Sequence, residues 1–131
     1  MANEAVCIET PTRFARYTIS DAVAIPLHTL LKLSGDNTAI ASSGADVFAG
    51  IAWEEKTASD GITEIVAAIN GVFDLTDASA GITLGGVVSL SGANLVKQAV
   101  EAETVTGAIV GKALETASAN EVIRVRVGEV V

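Results

Sequence analysis

The stretch Ile25-Pro26-Leu27-His28-Thr29-Leu30-Leu31-Lys32-Leu33-Ser34-Gly35 has a second version, Ile82-Thr83-Leu84-Gly85-Gly86-Val87-Val88-Ser89-Leu90-Ser91-Gly92. Ile25 and Ile82 stand 57 positions apart (82 − 25), and Leu33 and Leu90 keep the same offset (90 − 33). In the first copy Leu27, Thr29, Leu31 and Leu33 alternate with His28, Leu30 and Lys32, the period of a strand with one apolar face. Ser34-Gly35-Asp36-Asn37 then supplies turn chemistry, because Gly adopts positive φ and Asp and Asn bond their own backbone. A strand-and-turn unit present twice predicts two similar halves.

Working outward, the same order recurs on both sides. Thr38–Ala41 predicts a returning strand, and Val47–Trp53 a strand whose Gly50 marks a bulge or a close backbone approach. Asp60-Gly61 and Asn70-Gly71 carry hairpin chemistry, and Asn70-Gly71 predicts a pairing of Ile62–Ile69 with Val72–Leu75. In the second half Val87–Leu90, Leu95–Val100, Val105–Leu114 and Glu121–Val127 predict strands, with a loop at Glu101–Thr104. Gly50-Ile51-Ala52-Trp53-Glu54 matches Gly111-Lys112-Ala113-Leu114-Glu115 at an offset of 61 (111 − 50). Thr57-Ala58-Ser59 matches Thr116-Ala117-Ser118 at 59 (116 − 57), which sets Lys56 against Glu115. Glu64-Ile65-Val66 returns to 57 against Glu121-Val122-Ile123 (121 − 64), so the halves differ in their loops. The predicted fold is all-β: a small pseudo-symmetric β-barrel or β-sandwich built from two similar halves. The half-repeats run over about 17–75 and 82–131 of a single β domain, 17–131, behind an N-terminal extended arm, 1–16. The pattern leaves room for a turn of helix only near Asp74–Ser79.

The composition fits this. The chain has 131 residues, enough for one domain with a real core. Half of them are apolar but only 4% aromatic, so Val, Ile, Leu and Ala dominate, as suits short strands. A mean hydropathy of +0.49 points to apolar surface covered by copies of the chain or by a partner. The single Cys7 leaves no internal disulfide. A net charge of −8 disfavours a nucleic-acid backbone as partner. The apolar runs are too short to cross a bilayer, and the first residues lack the basic start of a secretory signal. Neither nucleic acid nor membrane is therefore an expected partner.

Catalytic chemistry is sparse. One histidine, His28, and one cysteine, Cys7, do not form a nucleophile–base–carboxylate set. Asp74 with Asp77, and Glu101 with Glu103, lack a third ligand at metal-binding spacing, and no phosphate-binding glycine motif is present. No catalytic, cofactor or metal site is expected. Arg124 and Arg126 alternate with Ile123, Val125 and Val127, which places both cations on one face of the last strand. Arg13, Phe14, Arg16 and Tyr17 gather half of the arginines and two of the five aromatics, the composition of an interface anchor. Glu54-Glu55-Lys56-Thr57-Ala58 is weakly similar to the lysine-bearing hairpin of lipoyl and biotinyl carrier domains. On that alternative, Lys56 carries a prosthetic group.

The whole succession is more specific than any one motif. It runs from residues 25–35 through Gly50-Ile51-Ala52, Asn70-Gly71-Val72-Phe73 and Ile82–Val88 to Gly111–Ser118 and Ile123–Val127. Over about residues 17–127 it resembles the capsid cement, or head decoration, proteins of tailed bacteriophages and related archaeal viruses. His28 departs from the resemblance, standing where the second copy keeps Gly85. The resemblance implies a non-enzymatic structural protein of the virion, made in the host cytoplasm. It would bind the major capsid protein on the outside of an assembled capsid, commonly as a trimer. Residues 1–16, with Arg13, Phe14, Arg16 and Tyr17 as anchors, are then the expected capsid contact. A head fibre or tail subunit is the neighbouring alternative.

Overall fold

The computed structural model describes residues 3–78 and 81–128. The first repeated unit becomes a hairpin of β3 (Leu30–Gly35) and β4 (Thr38–Ala41), and the second becomes β8 (Val87–Gly92) and β9 (Leu95–Gln98). Each turn places an asparagine in the left-handed region, Asn37 at φ 51° and Asn94 at φ 60°. Asn tolerates that region better than most residues do. A register shift follows at Gly35 and again at Gly92, so the two hairpins share their irregularity.

Each hairpin closes into its own five-stranded barrel. The first has the strand order β2 (Phe14–Thr18), β4, β3, β5 (Phe48–Ala52), β6 (Glu64–Ala68). The second runs β7 (Gly71–Asp77), β11 (Val122–Val127), β10 (Ile109–Ala113), β8, β9, closed by a parallel β7–β9 contact. Closure removes the free edges that short aliphatic strands would otherwise expose. β1 (Val6–Glu9) adds to the outside of β7, with Cys7 opposite Phe73. The all-β, two-halved architecture is as the sequence predicts, and each half is a complete barrel.

The division between the halves differs from the prediction. Asn70-Gly71 makes no hairpin: β6 belongs to the first barrel and β7 pairs with β11 at six positions. The chain passes from one barrel to the other at this dipeptide. Asn70 spends its side chain on the N-terminal segment, accepting from the Thr12 and Arg13 amides at 2.9 and 3.0 Å. The first barrel already starts at Phe14, so the expected boundary between residues 16 and 17 falls inside β2. Of the expected arm, Ala5 is buried and β1 is paired within the same chain, while residues 1 and 2 lie outside the described residues.

Helix also lies elsewhere than expected. Asp74–Asp77 is strand, and Ser79 is outside the described residues. The helical turn is α1 (Glu101–Thr106), made by the extra residues of the second half. Glu103 holds it: its carboxylate accepts from the Val100 amide at 2.8 Å and the Ser89 hydroxyl at 2.9 Å, and pairs with Lys97 at 2.8 Å. An acid reaching back to the residue before a helix satisfies a donor that the first turn leaves free.

Both interiors are aliphatic and match position by position. Ile25, Leu31, Ala39, Ala52 and Ile65 fill the first barrel where Ile82, Val88, Val96, Ala113 and Ile123 fill the second. The last strands therefore align at an offset of 58 (123 − 65) and not at the expected 57, which set Ile65 against the exposed Val122. The glycines at the centres of β5 and β10 allow close strand approach, as predicted. A Cβ on Gly50 would stand 2.9 Å from the Ala68 carbonyl oxygen, and one on Gly111 would overlap the Arg126 carbonyl.

The barrels meet asymmetrically. Leu30, Ile51 and Ala68 point outward from the first barrel and lie in one cross-strand row, Leu30 opposite Ile51 and Ile51 opposite Ala68. All three are buried in the same cluster as the interior of the second barrel, with Phe73, Leu75 and Leu90. Asn94 locks the contact. Its side-chain oxygen accepts from the Leu30 amide at 2.8 Å, and its amide donates to the Ser42 hydroxyl, which in turn donates to the Gly92 carbonyl at 2.9 Å. The matching Asn37 is solvent-exposed. Asn94→Ala should therefore lose about 1–3 kcal/mol more stability than Asn37→Ala, since both give up a turn asparagine but only one strands buried partners. Urea unfolding of the two variants measures the difference, and equal losses would remove Asn94 from the interface account.

Candidate functional site

The aromatic-poor sequence concentrates its rings in one place. Phe14, Trp53, His28 and Phe73 form a chain of contacts, with centroids 5.8 Å apart for Phe14–Trp53, 5.3 Å for His28–Trp53 and 5.9 Å for His28–Phe73. Phe73 is buried in the second barrel, whereas Phe14 is 45% exposed at the far end. Phe14 also extends the docking row, lying opposite Ala68. The ridge thus begins in the inter-barrel core and emerges into solvent beside Arg16. Leu27, the residue before His28, is also exposed.

His28 owes its place here to the backbone. It occupies the position of Gly85 and takes the same left-handed conformation, φ 66° against 79°. Its amide donates to the Ala52 carbonyl at 2.9 Å, as Gly85 donates to Ala113 at 2.9 Å. The turn geometry is therefore shared by the two copies. Left-handed backbone costs a side-chain-bearing residue about 1–2 kcal/mol. Ring contacts with Trp53 and Phe73, each worth about 0.5–1.5 kcal/mol, offset much of it. Burial holds the imidazole below its ordinary range, against a backbone hydrogen bond with Ala5 that works the other way.

The four anchor residues expected from the sequence divide into two kinds. Phe14 and Arg16 lie on the outer face of β2, and Arg16 stands 3.7 Å from Glu64 on the neighbouring strand. Tyr17 faces the other way: it packs in the first barrel, and its hydroxyl donates to the Ala49 carbonyl at 2.7 Å. Arg13 has its backbone tied down, its amide on Asn70 and its carbonyl accepting from the Ile69 amide at 3.1 Å, while its side chain is exposed. Alternation along β2 was readable as a period of two. Which face closes the barrel was not, because both faces carry one aromatic.

Lys56 is neither a prosthetic-group carrier in form nor a solvated surface lysine. The residue is 3% exposed, and its ammonium donates to the carbonyls of Asp21, Val23 and Thr57 at 2.8, 3.2 and 3.2 Å and to Asp60 at 3.1 Å. A modified lysine must present its nitrogen to solvent, and this one is enclosed. The bridges Ile25–Lys56 and Ile82–Ala117 also align Lys56 with Ala117, not with Glu115. The loop offset is therefore 61, as in the preceding strand. Asp60 sits below the ordinary carboxylate range, through hydrogen bonds from the Ile62 amide and Lys56 outweighing its desolvation.

The remaining chemistry is modest. Burial pushes the Cys7 thiol up, away from the reactive thiolate. Arg124 and Arg126 share the outer face of β11, as their spacing predicts, and Arg124 lies 3.4 Å from Asp74. Glu64 pairs instead with Arg16, and Glu121 accepts from the Ser118 amide at 2.7 Å. Among the described residues no group of three His, Cys, Asp or Glu side chains is placed to hold a metal ion. Neither a comparison with known protein families nor one with curated proteins returns a match.

Three measurements test this geometry. Protonating His28 disfavours the packed state, so stability is full above the unfolded value near 6.5 and declines as pH falls below it. Fluorescence of the single Trp53 should change with a midpoint below 6.5 and lose that step in His28→Asn, which tolerates the same backbone. An unaltered titration in the variant would detach His28 from Trp53. Amine-acetylating reagents should modify Lys32 and Lys112 while leaving Lys56 protected until the chain unfolds. Lys56→Met should cost at least about 2 kcal/mol, the low side for a buried ionic partner because Asp60 stays partly hydrated.

Proposed function

We propose that the protein is a non-enzymatic capsid cement protein that binds the outer surface of an assembled viral capsid and stabilises it. The supporting observation is the Phe14–Arg16 strip. It places an exposed aromatic and a cation on a strand whose opposite face is built into a closed barrel. Aromatic and arginine side chains dominate the energy of protein interfaces, and a rigid base reduces the entropy lost on docking. Arg13, exposed just before β2, adds a second cation, and Val6 and Ile8 of β1 are also exposed. The partner is the major capsid protein, and the working form is a homo-oligomer, a trimer in the resemblance that suggests the role. Each contact is small, but an oligomer that engages several capsid subunits gains affinity through multivalency.

Cosedimentation with expanded, undecorated capsids tests this. Phe14→Ala combined with Arg16→Glu should lower occupancy at least about tenfold, the effect of losing one anchor of roughly 1.4 kcal/mol, in a chain that stays folded at the assay temperature despite the lost Phe14–Trp53 and Arg16–Glu64 contacts. Full occupancy by the variant would show that the strip is not the contact. Failure of the wild-type chain to bind any capsid surface would overturn the role itself.

A further inference from the structure

We propose that β2 holds an extended segment of the capsid subunit along its open edge, as β7 holds β1, so that the capsid contact is a strand added to the first barrel. This rests on the capsid role and names the form in which the Phe14–Arg16 strip takes its partner.

Each barrel is closed on one side by a short parallel contact, Thr18 opposite Thr38 in the first and Thr76 opposite Leu95 in the second. Their neighbours align β2 with β7. Tyr17 lies opposite Ile65 as Leu75 lies opposite Ile123. The Ile19 amide donates to the Thr63 carbonyl as the Asp77 amide donates to the Glu121 carbonyl, both at 2.9 Å. Phe14, Ala15 and Arg16 are therefore the counterparts of Val72, Phe73 and Asp74. On β7 those positions carry β1, with Val72 opposite Glu9, Phe73 opposite Cys7 and Asp74 opposite Val6. On β2 the matching place has no strand among the described residues.

The backbone there is aimed at a partner. The Arg13 carbonyl and the Ile19 amide bond to Ile69 and Thr63, the residues flanking β6, whereas the Thr18 amide donates the other way, to the Asn37 carbonyl at 2.8 Å. Hydrogen-bonding groups alternate between the two sides of a strand. The amides and carbonyls of Phe14 and Arg16 thus point to the open edge, where neither residue has a backbone partner among the described residues. An unpaired row of this kind is a template for another strand. The barrel is also less closed here: Ala15 and Tyr17 are half-buried where Phe73 and Leu75 are fully buried.

The chain has no strand to spare for this edge. Every strand among the described residues is already paired, and β1 is held at its start by the Ala5 amide on the His28 carbonyl at 3.0 Å. Pairing β2 with β2 of a second copy would set Arg13 and Arg16 of both copies along one short ladder, which like-charge repulsion disfavours. The occupant is then a segment of the major capsid protein. β1 supplies its pattern: antiparallel, with an apolar side chain opposite Ala15, as Cys7 packs on the core opposite Phe73. Arg16, standing where β7 has Asp74, calls for a carboxylate opposite it. So short a ladder is weak alone, and repetition over the capsid lattice supplies the rest.

Residue-resolved hydrogen exchange of the whole chain, free and on expanded capsids, tests the ladder. The Phe14 and Arg16 amides should exchange freely in the unbound chain and slow at least about tenfold on the capsid, while those of Ala15 and Tyr17, which face β6, change little. Arg16→Pro and Arg16→Ala both lose the cation, but only proline removes the outward N–H, a change that an edge strand tolerates. Arg16→Pro should therefore bind capsids at least about tenfold more weakly than Arg16→Ala. A photoreactive phenylalanine in place of Arg16 should cross-link to the major capsid protein. Three results would each overturn the proposal and leave the capsid role standing: bound chain whose Phe14 and Arg16 amides still exchange freely, equal binding by the two variants, or a cross-link to a second copy. A wild-type chain that binds no capsid would overturn both.

Discussion

The structure depends on three side chains that sit on the outside of a barrel. Leu30, Ile51 and Ala68 occupy one cross-strand row and are fully buried because a second barrel ends on them. Burying a Leu or Ile stabilises by about 1.5–3 kcal/mol, so the two larger members alone contribute as much as a small domain can spare. Small five-stranded barrels enclose few residues, and the first is lined largely by alanine at Ala39, Ala49, Ala52 and Ala67. The contact merges the row with the second interior into one cluster. Neither barrel's surroundings can then be described without the other.

That dependence explains where the two halves diverge. Interior positions keep their character: Ile25 and Ile82, Leu31 and Val88, Ile65 and Ile123 are all buried aliphatics. Divergence falls on faces that the internal contact treats differently. Ile51 becomes Lys112 and Ala68 becomes Arg126 because one row is covered and the other is not. The same logic governs Lys56, which encloses its ammonium among loop carbonyls at a position where the second half makes do with Ala117. The enclosed ammonium finds its hydrogen-bond partners among those carbonyls and Asp60, an arrangement specific to one loop.

Much of this was legible in the sequence. Duplication, the succession of most strands along the chain, the asparagine turns and the mid-strand glycines follow from local chemistry, which acts within a few residues. Strand partnership does not. Asn70-Gly71 has the residues of a tight hairpin, yet β7 has a six-position match with β11 and a place beside β1, and those long-range pairings decide. The helical turn at Glu101–Thr106 was missed because six residues are too few for a periodic signal. Glu103 three residues after Val100 was the available clue. Among the candidate contact residues, Phe14 and Arg16 are exposed as their composition suggested. Tyr17 turns inward because strand alternation puts it on the face that closes the barrel.

His28 shows how a duplicated fold acquires something new without altering its frame. The turn it occupies demands left-handed backbone, which glycine meets at Gly85 with no side chain to place. Histidine meets the same demand at an energetic cost, and in exchange supplies a ring between Trp53 and Phe73. Those contacts exist only in the first copy, because only there does Phe73 of the other barrel stand opposite. The substitution therefore belongs to the docking of the barrels, as the row does. It also carries the ridge outward, from Phe73 in the core through His28 and Trp53 to Phe14 at the surface. A duplication that docked symmetrically would have used both copies of this turn alike. The asymmetric contact leaves one copy as plain scaffold and makes the other a path from the shared core to the exposed strip.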